Sequence, residues 1–263
     1  MPSNQPLRLA TCMAPNAEPM VRELALWLAA RLEIPVQLVD DVPWQERERR
    51  LDAGLIDLCW ICGLPYVQKA DDGIAIEPCV APVMRAARYS DEPIYYSDVI
   101  VRIDSAYRTF ADLKGRTWAY NEPRSHSGYG IVCHSLAQRG ETFGYFGKLI
   151  EAGSHQQALR LVKWGDAAAA AIDSTVLEAE LARIPSLRRA FRVIDTLGPS
   201  PAPPWVISTR LPAASRLEIA HALESMRQDP EGAAILGTWG ISELRRVGAA
   251  HYDPMRDMMR VAI

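Results

Sequence analysis

The sequence predicts an α/β protein of two lobes, each a mostly parallel sheet flanked by helices. Short apolar segments alternate with segments whose apolar residues recur at helical spacing. This alternation is interrupted near residues 89–98 and again near 197–205. The chain has 263 residues, which is enough for two domains of ordinary size. Together these observations indicate two α/β blocks joined by two crossing segments.

The first block runs from the amino terminus to about residue 94. Its predicted strands and helices are strand 7–10, helix 17–32, strand 35–39, helix 44–53 and strand 56–61. Gly54 follows the second helix, at a position where glycine commonly ends helices. Helices between successive strands imply parallel neighbours joined by right-handed crossovers.

The second block repeats this alternation between the two crossing segments. Its predicted strands are 98–103, 117–120, 149–152, 167–172 and 191–196. Its predicted helices are 128–139, 156–164 and 176–183, with a short helical turn at 110–115.

A proline-rich segment, residues 198–204, follows the second block and cannot be helical. A strand is predicted at 205–208, and the tail after Pro212 is predicted to be mostly helical. The simplest arrangement places the middle block as an insertion in a domain built from both ends. We therefore predict lobe 1 from residues 1–94 and 205–263, lobe 2 from residues 95–204, and a ligand cleft between them.

The polar segment Asn121–Tyr129 lies between a predicted strand and a predicted helix. Ser125, His126 and Ser127 place hydrogen-bonding side chains where a helix also exposes unpaired backbone N–H groups. A plain N-cap would need only one of these serines. The sequence alone leaves an anion site and a helix cap as alternatives.

Two further strand-to-helix junctions in this block carry polar side chains. His155 falls in a first helical turn after Ser154, and Asp173 lies at the carboxyl end of a strand. Thr175 and Glu178 have capping-box spacing. A surface histidine beside a cap and a loop-bonding aspartate are the structural alternatives. If the strands share one sheet, all three junctions lie on one edge.

Aromatic side chains occupy similar junctions in the first block. Trp44, Trp60 and Tyr66 could form the wall of a ligand site, but core packing is the alternative and is the stronger explanation for Trp60, which lies in an apolar strand. Cys59 and Cys62 have the spacing of a redox or metal pair, but no second pair completes a zinc site. Two buried thiols are the simpler interpretation.

Composition and motifs exclude several classes of protein. A net charge of −3 argues against nucleic acid as the main partner and gives no reason for attraction to an anionic membrane. No apolar run reaches the roughly 18 residues of a membrane helix, so no membrane insertion is expected. Nucleotide-binding loops and hydrolase elbows are absent from the sequence. We therefore expect no metal and no cofactor, with Cys59 and Cys62 left as the alternative metal or redox pair.

Six segments together resemble the phosphonate and phosphite binding proteins of ABC importers, which have the type II periplasmic binding protein fold. They occur in the family's order and span nearly the whole chain. The matching segments are Asp57–Val67, Phe110–Gly115, Ser125–Tyr129, Gly153–His155, Ala170–Ser174 and Tyr252–Asp257.

The resemblance implies a solute-binding protein, not an enzyme, whose two lobes close on a small oxyanion by a hinge motion. A Ser-Thr-Ser-Gly turn holds the anion in the family, and here that turn is Ser125-His126-Ser127-Gly128. His155 matches a family histidine, and Trp44 and Tyr66 match ligand-facing aromatics. An unshifted His126 would make affinity depend on pH near 6.5.

The resemblance leaves the ligand and the compartment open. Phosphonate, phosphite, phosphate, sulfonate and carboxylated metabolites are all candidates, although residues 201–205 lack the acidic side chain that would suit an aminophosphonate. The implied partner is an ABC permease, and the implied state is a periplasmic monomer. No leader is visible, so a cytoplasmic enzyme of cofactor biosynthesis or a ligand sensor with the same fold is the alternative.

Overall fold

The structure is a computed structural model that describes residues 5–261. Contacts divide those residues into two compact units. The first comprises the described residues up to Ile94 together with Pro201–Asp253. The second comprises Tyr95–Ser200 together with the described residues from Pro254 onward.

Strands and helices alternate through much of the chain. The strands are β1 Leu7–Thr11, β2 Val36–Leu38, β3 Leu58–Trp60, β4 Ile76–Met84, β5 Ile94–Arg102, β6 Thr117–Tyr120, β7 Lys148–Glu151, β8 Ala169–Asp173, β9 Phe191–Pro201, β10 Trp205–Ser208 and β11 Ile241–Arg246. The α-helices are α1 Glu18–Leu32, α2 Trp44–Asp52, α3 Gly63–Asp71, α4 Ile131–Gln138, α5 His155–Trp164, α6 Ser174–Arg183, α7 Ala213–Ser225, α8 Pro230–Thr238 and α9 Asp253–Val261.

The sheet of the first unit has the strand order β11-β4-β10-β3-β1-β2. β1 is parallel to β2 and β3, whereas β10 is antiparallel to both β3 and β4, and β11 is antiparallel to β4. This sheet is therefore mixed and differs from the mostly parallel sheet that the sequence predicts. The reason is the register of β10: Trp205 pairs with Trp60 at the carboxyl end of β3, so β10 enters the sheet there and runs back.

Helix α1 covers part of this sheet with an apolar face. Met20, Val21, Leu24 and Leu28 recur at helical spacing and are buried in the core of the first unit. Burial of each large side chain stabilises the fold by about 1.5–3 kcal/mol. Truncation of Leu24 to Ala should therefore cost about 2–5 kcal/mol.

The sheet of the second unit has the strand order β7-β6-β8-β5-β9. β6 is parallel to β7 and β8, and β5 is antiparallel to β8. All five residues of β8 are buried, as expected for a central strand, and it is apolar up to Asp173 at its carboxyl end. Trp118 on β6 is fully buried and stacks on Phe146 with ring centroids 4.4 Å apart.

The carboxyl-terminal helix α9 adds to the second unit. Met258 packs against its core, and the Met258 carbonyl lies 3.3 Å from His134 Nδ1. The predicted boundary had assigned 205–263 entirely to lobe 1, and the contacts of Met258 account for the difference.

Several elements were not predicted. The sequence pattern does not predict helix α3 or strands β4 and β11, and β11 interrupts the predicted helical tail. Strand β9 is longer than predicted and reaches Pro201 through a cis Gly198–Pro199 bond. Within residues 5–261, no helix combines the length and apolar character needed to cross a membrane.

Candidate functional site

Three parallel strands of the second unit end at one edge of its sheet. β6 is flanked by β7 and β8, and each of these strands is followed by a polar segment and a helix. Because parallel neighbours place their carboxyl ends together, the three predicted junctions lie on one edge. The candidate site is built from these junctions.

The segment after β6 forms a wide π-type turn instead of the first turn of the predicted helix. Gly130 N–H donates to the Ser125 carbonyl, five residues earlier, at 3.0 Å. Gly128 N–H donates to Ser125 Oγ at 3.3 Å, so Ser125 acts as the cap. Wide turns of this kind are often found at functional sites.

Gly128 allows Asn121 to pack inside this turn. A Cβ atom at position 128 would lie 1.9 Å from Asn121 Oδ1, so no larger residue fits without movement. Asn121 follows β6 directly, is buried, and accepts a hydrogen bond from Gly153 N–H at 2.7 Å through its carbonyl. Asn121 is not among the predicted site residues, although its position directly after a strand is a signal.

His155 begins α5 and meets the turn after β6. Ser154 Oγ caps α5 by accepting from Gln157 N–H at 3.1 Å. His155 Nε2 lies 2.9 Å from Ser127 Oγ and 3.5 Å from Asn121 Nδ2. Ser127 Oγ is in turn 3.4 Å from Ser125 Oγ. The structure thus brings together three predicted site residues and adds Asn121.

The polar group formed by Ser125, Ser127, His155 and Asn121 is uncharged and offers hydrogen-bond donors. Burial lowers the pKa of His155 to about 4, so its ring is uncharged at neutral pH. Within residues 5–261, Asn121 Oδ1 and His155 Nδ1 are buried without a hydrogen-bond partner. Buried polar atoms are rarely left unpaired because each costs free energy. A ligand with hydrogen-bonding groups would satisfy such atoms.

His126 makes different contacts from its two serine neighbours. Its Nε2 lies 2.9 Å from Ser200 Oγ on β9, and its ring packs edge-on against Tyr95 at 6.4 Å. Burial lowers the pKa of His126 to about 4, with a smaller effect from His134. For an unshifted His126, the sequence predicts that affinity depends on pH near 6.5. The structure corrects this prediction, because the buried ring stays neutral at that pH. The partner residue Ser200 was not identified from the sequence.

Asp173 serves as the cap of α6. Its Oδ1 accepts hydrogen bonds from Thr175 N–H at 2.8 Å, Thr175 Oγ1 at 2.7 Å and Val176 N–H at 3.4 Å. The predicted capping box starting at Thr175 is corrected, because Asp173 itself occupies the N-cap position. Burial raises the pKa of Asp173 to about 6.

The predicted aromatic residues lie in the first unit and contact different partners. Trp60 stacks on Trp205 at 5.6 Å, and its Nε1 donates to the Pro203 carbonyl at 3.0 Å. Tyr66 is buried and packs edge-on against Tyr252 at 4.9 Å. Trp44 is the first residue of α2 and is half-buried. These contacts explain Trp60 and Tyr66 as packing residues, and their predicted ligand-facing role stays a prediction.

The thiol of Cys59 lies close to that of a third cysteine. Its Sγ is 3.9 Å from the Sγ of Cys12, whereas Cys62 occupies the N-cap position of α3. Burial raises the pKa of Cys59, which disfavours the reactive thiolate. Among residues 5–261, no three metal-ligating side chains come together. The arrangement supports packed thiols instead of a redox or metal pair.

Comparison with known proteins identifies the family. The family model for the phosphonate ABC transporter periplasmic substrate-binding protein matches residues 13–252. The chain belongs to this family. The predicted family and its solute-binding function in transport are confirmed, and this finding supports that function over the cytoplasmic alternative.

Solved structures share the fold at low sequence identity. The binding protein component of an ABC phosphonate transporter from Pseudomonas aeruginosa is 17% identical, with a TM-score of 0.85 over 98% of this chain and 87% of that one. PhnD1 from Prochlorococcus marinus, in complex with methylphosphonate, is 17% identical, with a TM-score of 0.81 over 97% of each chain. The aliphatic sulphonate binding protein SsuA from Escherichia coli is 17% identical, with a TM-score of 0.64 over 98% and 92%. The predicted type II periplasmic binding protein fold is confirmed.

Proposed function

We propose that the chain captures a phosphonate-type oxyanion at Ser125, Ser127 and His155, assisted by Asn121. The single observation that carries this proposal is the buried Ser127–His155 contact of 2.9 Å. It joins the turn after β6 to the first residue of α5, beside two buried polar atoms that have no partner among the described residues. A helix cap alone would not need this arrangement.

The chemistry of the group suits a tetrahedral oxyanion. Serine hydroxyls, an imidazole N–H and backbone N–H groups at a helix start all donate hydrogen bonds. Hydrogen bonds from such donors to an ionised oxygen are about twice as strong as neutral ones. Several oxygens on one central atom can accept from several donors at once.

The ligand we favour is a simple phosphonate or phosphite without an amine. Asp173 Oδ1 already accepts three hydrogen bonds from the start of α6. Residues 197–205 contain no acidic side chain that could pair with an ammonium group. PhnD1 from Prochlorococcus marinus, which was solved with methylphosphonate, supplies the first probe.

Isothermal titration with methylphosphonate, phosphite, phosphate and a sulfonate tests the proposal. Ser127→Ala should weaken binding of the preferred anion about tenfold to a hundredfold, because one charge-assisted hydrogen bond contributes about 1.5–3 kcal/mol. Ser225→Ala is the matched control: it removes a serine hydroxyl that bonds the Ala222 carbonyl in the first unit, lowers stability by about 1 kcal/mol and should leave affinity unchanged. Equal affinity of Ser127→Ala and the wild type would show that Ser127 does not bind the anion and would contradict the proposed site.

We also propose the finer properties that the family suggests. The protein acts as a periplasmic monomer that delivers unaltered ligand to an ABC permease. Phosphorus NMR of the ligand after prolonged incubation should show no product, and sedimentation should give one species near 29.2 kDa. Hinge closure stays a prediction, and small-angle scattering with and without methylphosphonate would measure it.

A further inference from the structure

His126 lies in the middle of the proposed anion turn, but its side chain contacts residues outside that turn. Ser125 and Ser127, which flank it in the chain, have hydroxyl oxygens 3.4 Å apart. The imidazole of His126 is 1% exposed, and its Nε2 lies 2.9 Å from Ser200 Oγ, 74 positions along the chain. The backbone of His126 therefore belongs to the proposed binding group, whereas its ring belongs to a different part of the second unit.

The two residues that this ring contacts mark the ends of one long segment of the second unit. The segment runs from Tyr95 to Ser200, and the chain belongs to the first unit immediately before and after it. The ring of His126 packs edge-on against Tyr95, with centroids 6.4 Å apart, and its Nε2 meets Ser200. One buried side chain thus contacts both of these points at which the chain passes between the units.

Strands β5 and β9 hold Tyr95 and Ser200 in place. The two strands are hydrogen-bonded neighbours at the edge of the second sheet, with Tyr95 near the start of β5 and Ser200 near the end of β9. A Cβ atom at Gly198 would lie 3.1 Å from the Ser200 backbone nitrogen and 3.4 Å from the Tyr95 carbonyl oxygen. The strands therefore approach each other closely at this end, and we expect them to move as one element.

The contact between His126 and Ser200 joins two uncharged groups. Burial lowers the pKa of His126 to about 4, so at neutral pH one ring nitrogen donates a hydrogen bond and the other accepts one. The Ser200 hydroxyl can take either role, and it is buried as well. A hydrogen bond between buried groups is costly to break, because both groups lose a partner without gaining water. Such a bond is suited to holding the turn in one position.

We infer that His126 is a positioning residue that couples the anion turn to strands β5 and β9 at the points where the chain passes between the units. This inference rests on the proposed function, because it requires an anion at Ser125 and Ser127. Coupling of binding is reciprocal: if the strands hold the turn in its binding position, a bound anion holds the strands to the same extent. His126 then acts on affinity through the position of its two serine neighbours.

Titration calorimetry with methylphosphonate tests the Ser200 end of the bond. Ser200→Ala removes the hydroxyl and leaves every residue of the anion turn unchanged. Affinity should fall about threefold to tenfold, the loss expected for one hydrogen bond between neutral groups. Ser208→Ala is the matched control, because Ser208 is a buried serine on the next strand whose hydroxyl accepts from Arg210 N–H in the first unit. Its affinity should equal that of the wild type.

Two substitutions of His126 separate the bond from the presence of a polar side chain. Glutamine is long enough to place its amide near the position of Nε2 and to keep a bond to Ser200, whereas asparagine reaches only the position of Nδ1. His126→Gln should therefore retain most of the wild-type affinity, and His126→Asn should lose at least as much as Ser200→Ala. His126→Asn combined with Ser200→Ala should bind no more weakly than His126→Asn alone, because both changes remove the same interaction.

Hydrogen exchange supplies a readout that a purely structural role would not change. Saturating methylphosphonate should slow amide exchange in residues 191–200 of the wild type and of His126→Gln. In Ser200→Ala and His126→Asn, saturating methylphosphonate should still protect residues 125–130 but leave exchange in residues 191–200 close to that of the free protein.

Some outcomes overturn this inference and leave the proposed function intact. They are wild-type affinity in Ser200→Ala, equal losses in Ser200→Ala and Ser208→Ala, losses that add in the double variant, and methylphosphonate binding to the wild type without slower exchange in residues 191–200. A wild type that binds neither methylphosphonate nor phosphite, phosphate or a sulfonate overturns the proposed function and this inference together.

Discussion

The carboxyl-terminal strand edges of the two sheets differ in what their residues do. At the edge of the first sheet, Trp60 stacks on Trp205 and its indole N–H is satisfied by the Pro203 carbonyl. At the edge of the second sheet, Ser127 and His155 meet in a buried polar group that leaves Asn121 Oδ1 and His155 Nδ1 without partners among residues 5–261. Both edges follow strands in an α/β sheet. Trp205 Nε1 at the first edge is also buried without a partner among residues 5–261, but it lies in an aromatic stack, whereas the second edge has a donor-and-acceptor group built around the Ser127–His155 contact.

This difference shows why residue type alone is a weak guide to a site. Trp60 and Tyr66 are large aromatic residues at strand-to-helix junctions, which favours them as candidate ligand contacts. Their rings, however, already pack on Trp205 and Tyr252. Trp205 Nε1 lacks a partner among residues 5–261, but it stands alone in the stack with Trp60, whereas the small polar residues of the second edge bring two such atoms together beside a buried Ser–His contact. Accounting for each buried donor and acceptor therefore locates a binding group better than the size of its side chains.

The strongest test of the comparison is Gly128→Ala at the second edge. Because the new Cβ would overlap Asn121 Oδ1, the turn must move and more than one hydrogen bond to the ligand should be lost. We expect methylphosphonate affinity to fall about a hundredfold or more, and stability to fall by about 1–3 kcal/mol. Titration calorimetry and urea unfolding measure the two effects.

Gly248→Ala provides the control, because a Cβ at that position meets no atom within 4 Å. Its affinity and stability should match the wild type. Full affinity in Gly128→Ala would contradict the close packing described for Asn121.

Trp60→Phe tests the first edge. The substitution removes the bond to the Pro203 carbonyl and part of the stack on Trp205, so we expect a loss of about 1–3 kcal/mol in unfolding free energy. Methylphosphonate affinity should change by much less than in Ser127→Ala. Trp164→Phe is the control, since Trp164 is 71% exposed. An affinity loss as large as that of Ser127→Ala would make Trp60 a ligand residue, as the sequence first suggested.

His126→Gln should change how stability depends on pH. The folded pKa of about 4 lies below the ordinary 6.5, so the unfolded chain takes up a proton first as the pH falls. The contribution of neutral His126 to stability is therefore complete above pH 6.5 and is lost between pH 6.5 and 4. Comparing wild type with His126→Gln cancels the effects of His155 and Asp173, which both proteins keep.

Urea unfolding at pH 7.5 and pH 4.5 gives the measurement. The advantage of the wild type over His126→Gln should shrink by about 1–3 kcal/mol at the lower pH. An advantage that grows on acidification would show that His126 is protonated in the folded protein.

The smallest effect is expected for Cys62→Ser. Cys62 occupies the N-cap position of α3 without a capping hydrogen bond from its side chain, and serine is a good capping residue. Stability should rise by about 0.5 kcal/mol, and metal analysis should find no bound zinc in either protein. Stoichiometric zinc that disappears in Cys62→Ser would restore the metal-pair interpretation.

The local pattern of apolar and polar residues is sufficient to predict many of the strands and helices. The predicted strands 117–120 and 205–208 coincide with β6 and β10, and the predicted start of α2 is Trp44. β4 was missed because Pro78 and Pro82 are untypical of a strand with two neighbours, and β11 because Glu243, Arg245 and Arg246 obscure its apolar alternation.

The candidate site was predictable only where its contacts are local. Ser125, Ser127 and His155 follow from strand-to-helix junctions, whose geometry a short segment determines. The contact of His126 with Ser200 joins residues 74 positions apart, so no local pattern reveals it. Asn121 has no motif of its own, and its importance comes from the space left by Gly128.

The unpartnered Asn121 Oδ1 has a consequence for how the proposed site would choose among anions. This oxygen can only accept a hydrogen bond, so a ligand seated beside it must bring a proton of its own. An oxyanion that keeps one acidic hydrogen can provide that proton, whereas a sulfonate of equal charge and similar shape has none. At the proposed site, anions of the same charge would be distinguished by whether they carry a proton that they can donate to Asn121 Oδ1. No charged side chain is needed for this selection.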